Sequence, residues 1–221
     1  MDNSKYLKEK EMVFNTTFNL FKSGLIRASS GNISARIEKN ELMAITPTGI
    51  RYDLLTLEDI TVSDWTGSAI DGGKNPSSEF RMHAAIYEAF PDISGIVHTH
   101  SPYAITFAAL GENVPMISIE GLMVGSNILP VTERFSIPGS RDVGESALEV
   151  FHANPGLRGL LLLNHGLITI GESLADAMNL AESIELEAQV YYQARMLGTP
   201  RLISEEQRKT ILNNYMKGKL K

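Results

Sequence analysis

The amino-acid sequence predicts an α/β fold, a layered domain in which helices flank a central mixed, mainly antiparallel sheet. Segments with helical periodicity alternate with short segments whose apolar residues are arranged as in strands. Several of the predicted strands are joined by turns that are too short for a parallel crossover, so antiparallel pairing is expected. The 221 residues contain no repeat and no long linker, which predicts a single domain over residues 1–221.

The first part of the chain predicts one helix followed by three strands. Residues 6–21 carry apolar side chains at helical spacing, and Gly24 follows them as a stop signal. Residues 33–37 alternate between apolar and polar types as a strand does, and residues 42–46 return as the second arm of a hairpin. Residues 60–64 form a further short strand.

The rest of the chain continues this alternation of strands and helices. Strands are predicted at residues 95–100, 128–131, 160–163 and 167–170, and helices at residues 79–90, 102–110, 140–154 and 173–196. Three of these helices end at Pro91, Gly111 and Gly198, residues that do not continue a helix. Ser204 and Gln207 form the pattern of a capping box, which predicts a last helix.

The composition restricts both chemistry and partners. The absence of cysteine excludes disulfides and thiolate sites, so a transition-metal site would need histidines and carboxylates. The formal net charge is -6, and Lys and Arg cluster only in the C-terminal tail, so we expect no nucleic-acid partner. The N-terminus lacks the pattern of a secretory signal, and the apolar run at residues 160–163 cannot span a bilayer. We therefore expect a cytoplasmic protein with no membrane partner.

Three of the five histidines stand where their side chains can converge. His98 and His100 are two residues apart on a predicted strand, so both imidazoles project from one face about 6.5 Å apart. His165 lies in the turn after the apolar run at residues 160–163, and Glu79 opens a predicted helix. Imidazoles with one carboxylate suit Zn²⁺. From this pattern alone, a pair of structural or solvated histidines remains the alternative to a metal site.

The two remaining histidines are left out of this candidate site. His83 and His152 both fall within predicted helices. We expect them at helix surfaces or at the edge of the core, where they would have a structural role.

Three short polar turns offer backbone N–H groups and hydroxyls to an anion. They are residues 29–32, residues 46–49, and the pair Ser77 and Ser78. The pair precedes a predicted helix, whose N-terminal amides favour phosphate. Taken singly, each turn is more typical of an ordinary loop than of an anion site. No P-loop and no Gly-x-Gly-x-x-Gly is present, so the sequence does not indicate a nucleotide.

Five motifs, in their order and spacing, resemble the class II aldolase/adducin family. They are Ser30-Gly31-Asn32-Ile33-Ser34, Ile45-Thr46-Pro47-Thr48-Gly49, Pro76-Ser77-Ser78-Glu79 with Met82-His83, Val97-His98-Thr99-His100 and Asn164-His165-Gly166-Leu167. The similarity extends from about residue 20 to about residue 192. It implies the class II aldolase-like fold and a metal-dependent lyase. The implied reaction is the reversible cleavage of a ketose 1-phosphate, such as L-fuculose 1-phosphate, to dihydroxyacetone phosphate and an aldehyde through an enediolate.

The resemblance also implies roles for individual residues. Glu79 is implied to be a zinc ligand and the catalytic acid/base, and the remaining ligands of one Zn²⁺ per subunit are implied to be His98, His100 and His165. The substrate phosphate is implied to contact Gly31, Asn32, Thr48, Gly49, Ser77 and Ser78. Members of this type are commonly homotetramers, so we expect a homotetramer here with a small-molecule sugar phosphate as its ligand.

The sequence departs from the pattern of the bacterial aldolases at the aldehyde end of the substrate. Ile119 stands where that pattern has a tyrosine proton donor, and Glu120 follows it. We predict that Glu120 or a zinc-bound water replaces the donor, the alternative being a solvated or ion-paired glutamate outside the reaction. The C-terminal tyrosine of the family also has no counterpart in register, since Tyr215 is displaced by a few residues.

Other functions within the same family remain open. Ribulose-phosphate 4-epimerases usually have an aspartate at the position of Glu79, which favours the aldolase. Sugar-phosphate dehydratases and decarboxylases are further relatives. A non-catalytic adducin-like module lacks the histidine ligands, whereas this chain contains His98, His100 and His165.

Overall fold

A computed structural model describes residues 5–37 and 41–216 of the chain. The strands are β1 Asn32–Arg36, β2 Leu42–Ile45, β3 Thr61–Asp64, β4 Ala69–Asp71, β5 Gly95–Thr99, β6 Val114–Pro115, β7 Ile128–Leu129, β8 Gly159–Leu162 and β9 Gly166–Gly171. The helices are α1 Leu7–Ser23, α2 Phe80–Ala89, α3 Pro102–Leu110, α4 Arg141–Ala153, α5 Leu174–Leu197 and α6 Glu205–Met216. Short 3₁₀ helices lie at Leu57–Asp59 and Glu120–Val124.

Seven of the strands form one sheet in the order β4-β3-β2-β1-β5-β9-β8, and β6 pairs with β7 separately. Every neighbouring pair of these strands is antiparallel. Parallel pairing occurs within the described ranges at one isolated bridge, which joins Val131 to Leu161. The predicted α/β fold with a mainly antiparallel sheet is therefore confirmed.

The centre of the sheet is covered by helices, so its strands are buried on both faces. All residues of β5 and β9 are buried. Antiparallel sheets commonly have one face in solvent, but these two strands have no solvated face. Helices α1 and α5 pack against this central part and against each other, whereas α2 packs with α4. Asn32 and Ser34 project from β1 toward α2, where they meet polar side chains.

The local signals for helix ends are found where the sequence predicts them. Gly24 and Gly111 adopt left-handed backbone conformations directly after α1 and α3, which glycine does without steric cost. The predicted capping box is present, with the backbone N–H of Gln207 donating to Oγ of Ser204 at 3.2 Å and the Gln207 side chain accepting from the Ser204 backbone.

The shortest strands are where sequence and structure differ. β4 and β6 were not predicted, because two or three residues are too few to show periodicity. The strand predicted at residues 128–131 ends at Leu129, because beyond this residue the chain pairs with β8 instead of β6: the backbone N–H of Leu161 donates to the carbonyl of Pro130. Among the helices of residues 5–37 and 41–216, none combines the length and the apolar character needed to cross a membrane.

Candidate active site

Three imidazoles meet where β5 and β9 lie side by side. His98 is on β5, His100 follows that strand directly, and His165 immediately precedes β9. One nitrogen from each ring lies within 4.8 Å of the others. Nε2 of His98 is 3.1 Å from Nε2 of His100, and the structure therefore brings together the three histidines that the sequence singled out.

The turn before β9 makes this approach possible. Asn164 has a positive φ of 54°, which reverses the chain tightly before His165. A Cβ atom at Gly166 would collide with the carbonyl oxygen of Thr99 and would lie 3.1 Å from the rings of His98 and His100. Glycine at this position thus allows the turn to pack directly against the histidine pair.

Glu79 completes the cluster from the opposite side. It is the residue before α2, and its side chain is only 7% exposed. Its Oε2 lies 3.3 Å from Nε2 of His98, and its Oε1 lies 3.3 Å from Nε2 of His165. The amide Nδ2 of Asn32 donates a hydrogen bond of 2.8 Å to Oε2 of Glu79. The carboxylate is held in one orientation by these contacts.

The surroundings favour the protonation states that a metal ligand needs. Burial raises the pKa of Glu79, but the nearby His98 and His165 and the hydrogen bond from Asn32 outweigh burial and hold this pKa well below its usual range. Burial, reinforced by His98, lowers the pKa of His100 to about 3 and that of His165 to about 4. Glu79 is therefore ionised and His100 and His165 are neutral at neutral pH, which are the protonation states in which these groups bind a metal.

The donor atoms of this cluster fit a divalent cation. Nδ1 of His98 lies 2.9 Å from the carbonyl oxygen of Leu167 and donates to it, so the lone pair of the neutral ring is at Nε2 and faces the cluster. Within the described part of the chain, the buried Oε1 of Glu79 has no hydrogen-bond donor. Three imidazole nitrogens and a carboxylate are a ligand set typical of Zn²⁺.

Two of the three polar turns implied to bind phosphate, residues 46–49 and the pair Ser77 and Ser78, lie next to each other and next to Glu79. The backbone N–H of Ser77 donates to the carbonyl of Thr46 at 2.9 Å, and that of Thr48 donates to the carbonyl of Asn75 at 3.1 Å. Oγ of Ser77 accepts from the backbone N–H of Glu79 at 3.3 Å. The side chains of Thr48 and Ser78, like Gly49, are exposed, whereas Ser77 is buried.

Gly31 connects the first polar turn to the histidines. Its φ is +82°, and a Cβ atom there would lie 2.6 Å from the carbonyl oxygen of His98. Its own carbonyl accepts a hydrogen bond of 2.6 Å from the hydroxyl of Tyr52. The backbone of this turn is therefore fixed against β5.

Asn32 lies at the site, but its side chain contacts protein groups at both ends. Its Nδ2 donates to Glu79, and its Oδ1 lies 2.6 Å from Nε2 of His83. The expectation that His83 lies at a helix surface or core edge is wrong, because the side chain is fully buried between α2 and β1. The spacing of four residues between Glu79 and His83, which places both on one side of a helix, is the signal that could have found it. His152 is exposed on α4, as expected.

Glu120 is placed apart from these groups. It opens a short 3₁₀ helix and is exposed, as is the preceding Ile119. Within residues 5–37 and 41–216 it makes no hydrogen bond or ion pair with Glu79 or the three histidines. The segment before it is anchored by the buried Glu187, which accepts hydrogen bonds from the backbone of Ile117 and from the backbone and hydroxyl of Ser118.

The fold and the site have counterparts among known proteins. Residues 11–192 match the sequence model of the family described as Class II Aldolase and Adducin N-terminal domain. The match covers the antiparallel sheet and the segments that carry the histidine and carboxylate cluster, and it defines a class II aldolase-type lyase. The chain belongs to this family, and the resemblance and the expectation of an enzyme are confirmed.

Individual relatives cover nearly the whole chain. A 5-deoxy-D-ribulose 1-phosphate aldolase of Bacillus thuringiensis serovar kurstaki is 34% identical over 208 residues, which are 94% of this chain and 95% of that protein. An L-fuculose phosphate aldolase of Escherichia coli strain K12 is 31% identical over 94% of each chain. The solved structure of an L-fuculose 1-phosphate aldolase has a TM-score of 0.86 at 29% identity, covering 95% of this chain and 96% of that chain.

A relative with a different activity is also similar. An L-ribulose-5-phosphate 4-epimerase UlaF of Salmonella paratyphi C is 29% identical over 195 residues, which are 85% of this chain and 86% of that protein. Membership of the family therefore leaves the choice between aldol cleavage and epimerisation to the residues of the site.

Proposed function

We propose that the protein is a zinc-dependent aldolase that reversibly cleaves a ketose 1-phosphate of the L-fuculose 1-phosphate type into dihydroxyacetone phosphate and an aldehyde. The observation that supports this proposal most directly is the Glu79 carboxylate. It lies 3.3 Å from both His98 and His165, directly after the Ser77 and Ser78 turn. An acid/base group, a cation site and a phosphate turn are thus contiguous.

Glu79, His98, His100 and His165 would hold the cation. When bound, a divalent cation supplies Lewis-acid stabilisation of the negative charge that develops on the substrate carbonyl oxygen as the carbon–carbon bond breaks. The protein contributes a buried, preorganised ligand set, since the orientation of His98 is fixed by Leu167 and that of Glu79 by Asn32.

The phosphate of the substrate is assigned to the adjacent polar turns. Gly31 and Gly49 offer backbone N–H groups, Thr48 offers an exposed hydroxyl, and Ser77 and Ser78 offer hydroxyls at the start of α2, where helix amides favour an anion. Asn32 contributes mainly by holding Glu79, because both ends of its side chain are already engaged. Binding the phosphate at this position fixes the carbon chain relative to Glu79, which confines reaction to one bond.

Glu79 is the group that moves protons. In condensation, an ionised Oε of Glu79 accepts a proton from the hydroxymethyl carbon of dihydroxyacetone phosphate, and in cleavage Glu79 returns a proton to that carbon. The group at the aldehyde end gives a proton to the aldehyde oxygen in condensation and takes the C4 hydroxyl proton in cleavage. Its burial excludes bulk water from this transfer. Glu120 is our candidate for the proton donor at the aldehyde end, and the anchoring of its segment by Glu187 supports a fixed position for it.

The runner-up function is ribulose-phosphate 4-epimerisation, which the similarity to an epimerase favours. It uses the same stabilised enediolate but retains the aldehyde, which is rotated and rejoined. A glutamate instead of an aspartate at position 79 supports the aldolase. A sugar-phosphate dehydratase is a further candidate, whereas the three converging histidines argue against a non-catalytic adducin-like module.

A product assay separates these candidates. The Zn²⁺-loaded protein is incubated with a panel of ketose 1-phosphates and with L-ribulose 5-phosphate, and triose phosphate, epimer and loss of water are measured in parallel. We expect triose phosphate from at least one ketose 1-phosphate and none from the His100→Ala variant. Epimer without triose phosphate would replace the aldolase by the epimerase, and no product from either sugar class would contradict both.

We also propose that the protein works as a cytoplasmic homotetramer. Support comes from the family resemblance and from exposed apolar side chains near Glu120 in the sequence, namely Ile119 and Met123, which are 67% and 51% exposed. Light scattering on the purified protein should give a mass close to four chains, and the mass of a single chain would contradict the tetramer.

A further inference from the structure

A series of hydrogen bonds between buried side chains runs from α2 through β1 to the carboxylate of Glu79. The hydroxyl of Tyr87 lies 2.8 Å from Oγ of Ser34, and this Oγ lies 2.6 Å from Nδ1 of His83. Nε2 of His83 lies 2.6 Å from Oδ1 of Asn32, whose Nδ2 donates to Oε2 of Glu79 at 2.8 Å. Tyr87, Ser34 and His83 are completely buried.

Only one assignment of donors satisfies every member of this series. The ionised carboxylate of Glu79 can only accept, so Asn32 must present its NH₂ group to Glu79 and its carbonyl oxygen to His83. His83 must then donate from Nε2. The ring is neutral, because burial, reinforced by the nearby His98, lowers the pKa of His83 to about 3. Its Nδ1 therefore accepts from Ser34.

We propose that His83 is a positioning residue for Glu79: by donating to Oδ1 of Asn32, it fixes the side-chain amide of Asn32 in the orientation that presents an N–H to Glu79. The inference rests on the proposed metal site, in which Glu79 is a ligand. It adds a role for a histidine that contacts none of the four candidate metal ligands and that reaches the site through Asn32.

The physical reason is the two-fold ambiguity of an amide group. Rotation of the Asn32 amide by 180° would exchange its oxygen and nitrogen and place two oxygen atoms against each other at Glu79. The N–H donor at Nε2 of His83 also makes the rotated form unfavourable. In that form, this N–H group would face the NH₂ group of Asn32, and two donors would lie against each other. Both ends of the Asn32 amide are buried, so no water can satisfy a misplaced oxygen or NH₂ group. Burial therefore increases the energetic cost of the rotated form at Glu79 and at His83.

Two substitutions at one position separate positioning from packing. Gln in His83→Gln can place an N–H close to the position of Nε2 and keep the donor to Asn32, whereas Phe in His83→Phe fills the space without any donor. Tyr87→Phe is the matched control, because it removes a buried hydroxyl from the same helix without touching the bond between His83 and Asn32. Circular dichroism and thermal unfolding establish that each variant is folded.

The primary measurement is Zn²⁺ affinity of the metal-free protein, determined by competition with a chromophoric chelator. We expect His83→Phe to weaken Zn²⁺ binding by about tenfold or more, as substitutions behind a metal ligand do, and His83→Gln to restore most of the loss. Tyr87→Phe should lower the unfolding temperature and leave Zn²⁺ affinity unchanged. The visible spectrum of the Co²⁺-loaded protein should change in His83→Phe only.

A double-mutant cycle tests the route through Asn32. If His83 acts through Asn32, His83→Phe should have little further effect on Zn²⁺ affinity in the Asn32→Ala background. Additive losses would overturn the inference, as would a His83→Phe protein that is less stable but binds Zn²⁺ like the wild type. If the wild type itself bound no Zn²⁺, the proposed metal site and this inference would both fall. If the wild type binds Zn²⁺ and His83→Phe binds it with the same affinity, the role of His83 is contradicted, whereas the proposed metal site is not.

Discussion

Nε2 of His98 lies 3.1 Å from Nε2 of His100, although Nδ1 of His98 already carries the proton of the ring and donates it to Leu167. A lone pair therefore points from His98 at a second imidazole nitrogen in a largely buried site. The contact is an ordinary N–H···N hydrogen bond when a neutral His100 carries its ring proton at Nε2, and it can become part of a cation site when both nitrogens present lone pairs. Nε2 of His165 and the carboxylate of Glu79 lie close to the same pair of histidines, so the four side chains together also have the arrangement of a cation site.

The first prediction concerns metal binding and stability. Zn²⁺ at about 100 times its Kd should stabilise the protein by about 2.7 kcal/mol, because only the folded chain brings the ligands together. For a domain of this length, this corresponds to a rise of roughly 5–10 °C in Tm. His100→Ala should abolish the rise, whereas His152→Ala, at an exposed histidine of α4, should keep it. An equal rise in both variants, measured by thermal unfolding, would contradict a site at His100.

The second prediction concerns the proton donor at the aldehyde end. Glu120→Gln removes the titratable group but keeps the shape of the side chain, so turnover of a ketose 1-phosphate should fall by about a hundredfold while Zn²⁺ binding is retained. Glu133→Gln changes another exposed glutamate and is the control. Unchanged turnover in Glu120→Gln would leave Glu120 as a solvated glutamate with no part in the reaction.

The third prediction compares two glycines that are both implied to contact phosphate. Gly31 and Gly49 have positive φ values of +82° and +74°, so alanine at either position should cost about 1–2 kcal/mol of backbone strain. At Gly31 the added Cβ would also lie 2.6 Å from the carbonyl of His98, whereas nothing lies within 4 Å at Gly49. Gly31→Ala should therefore lose clearly more free energy of unfolding in urea and should also weaken Zn²⁺ binding. Equal losses in the two variants would show that the contact with β5 is unimportant.

The fourth prediction is that the metal-free protein loses stability as the pH falls from 7.5 to 5.5. The folded-state pKa is about 3 for His83 and His100 and about 4 for His165, below the ordinary value of 6.5. The unfolded chain therefore binds more protons in this range, so stability is complete above pH 6.5 and decreases below it. The fully buried His83 alone contributes a slope approaching about 1.4 kcal/mol per pH unit below pH 6.5.

Urea unfolding at the two pH values measures this slope. His83→Phe removes one of the three groups and should flatten the dependence, which distinguishes His83 from the two histidines of the cluster. A free energy of unfolding that is equal at pH 7.5 and 5.5 in the metal-free wild type would show that these imidazoles are not buried in the neutral form.

Elements with local signals could be predicted from the amino-acid sequence. The predicted bounds of α3 agree with those in the structure, because proline begins this helix and a left-handed glycine follows it. The pairing of His98 with His100 was also predictable, since residues two apart on a strand share a face. The order of the motifs then indicated Glu79 and His165 as their partners, and the structure places all four together.

The surroundings of these residues, in contrast, depend on contacts between segments that are distant in the sequence. His83 was expected at the helix surface or core edge, yet it is buried against β1, because the direction of α2 relative to the sheet is set by packing between distant segments. The orientation of Asn32 likewise depends on Glu79 and His83, which follow it by 47 and 51 residues. A local pattern does not encode such contacts, since they form only when the non-local strands and helices have already been brought together.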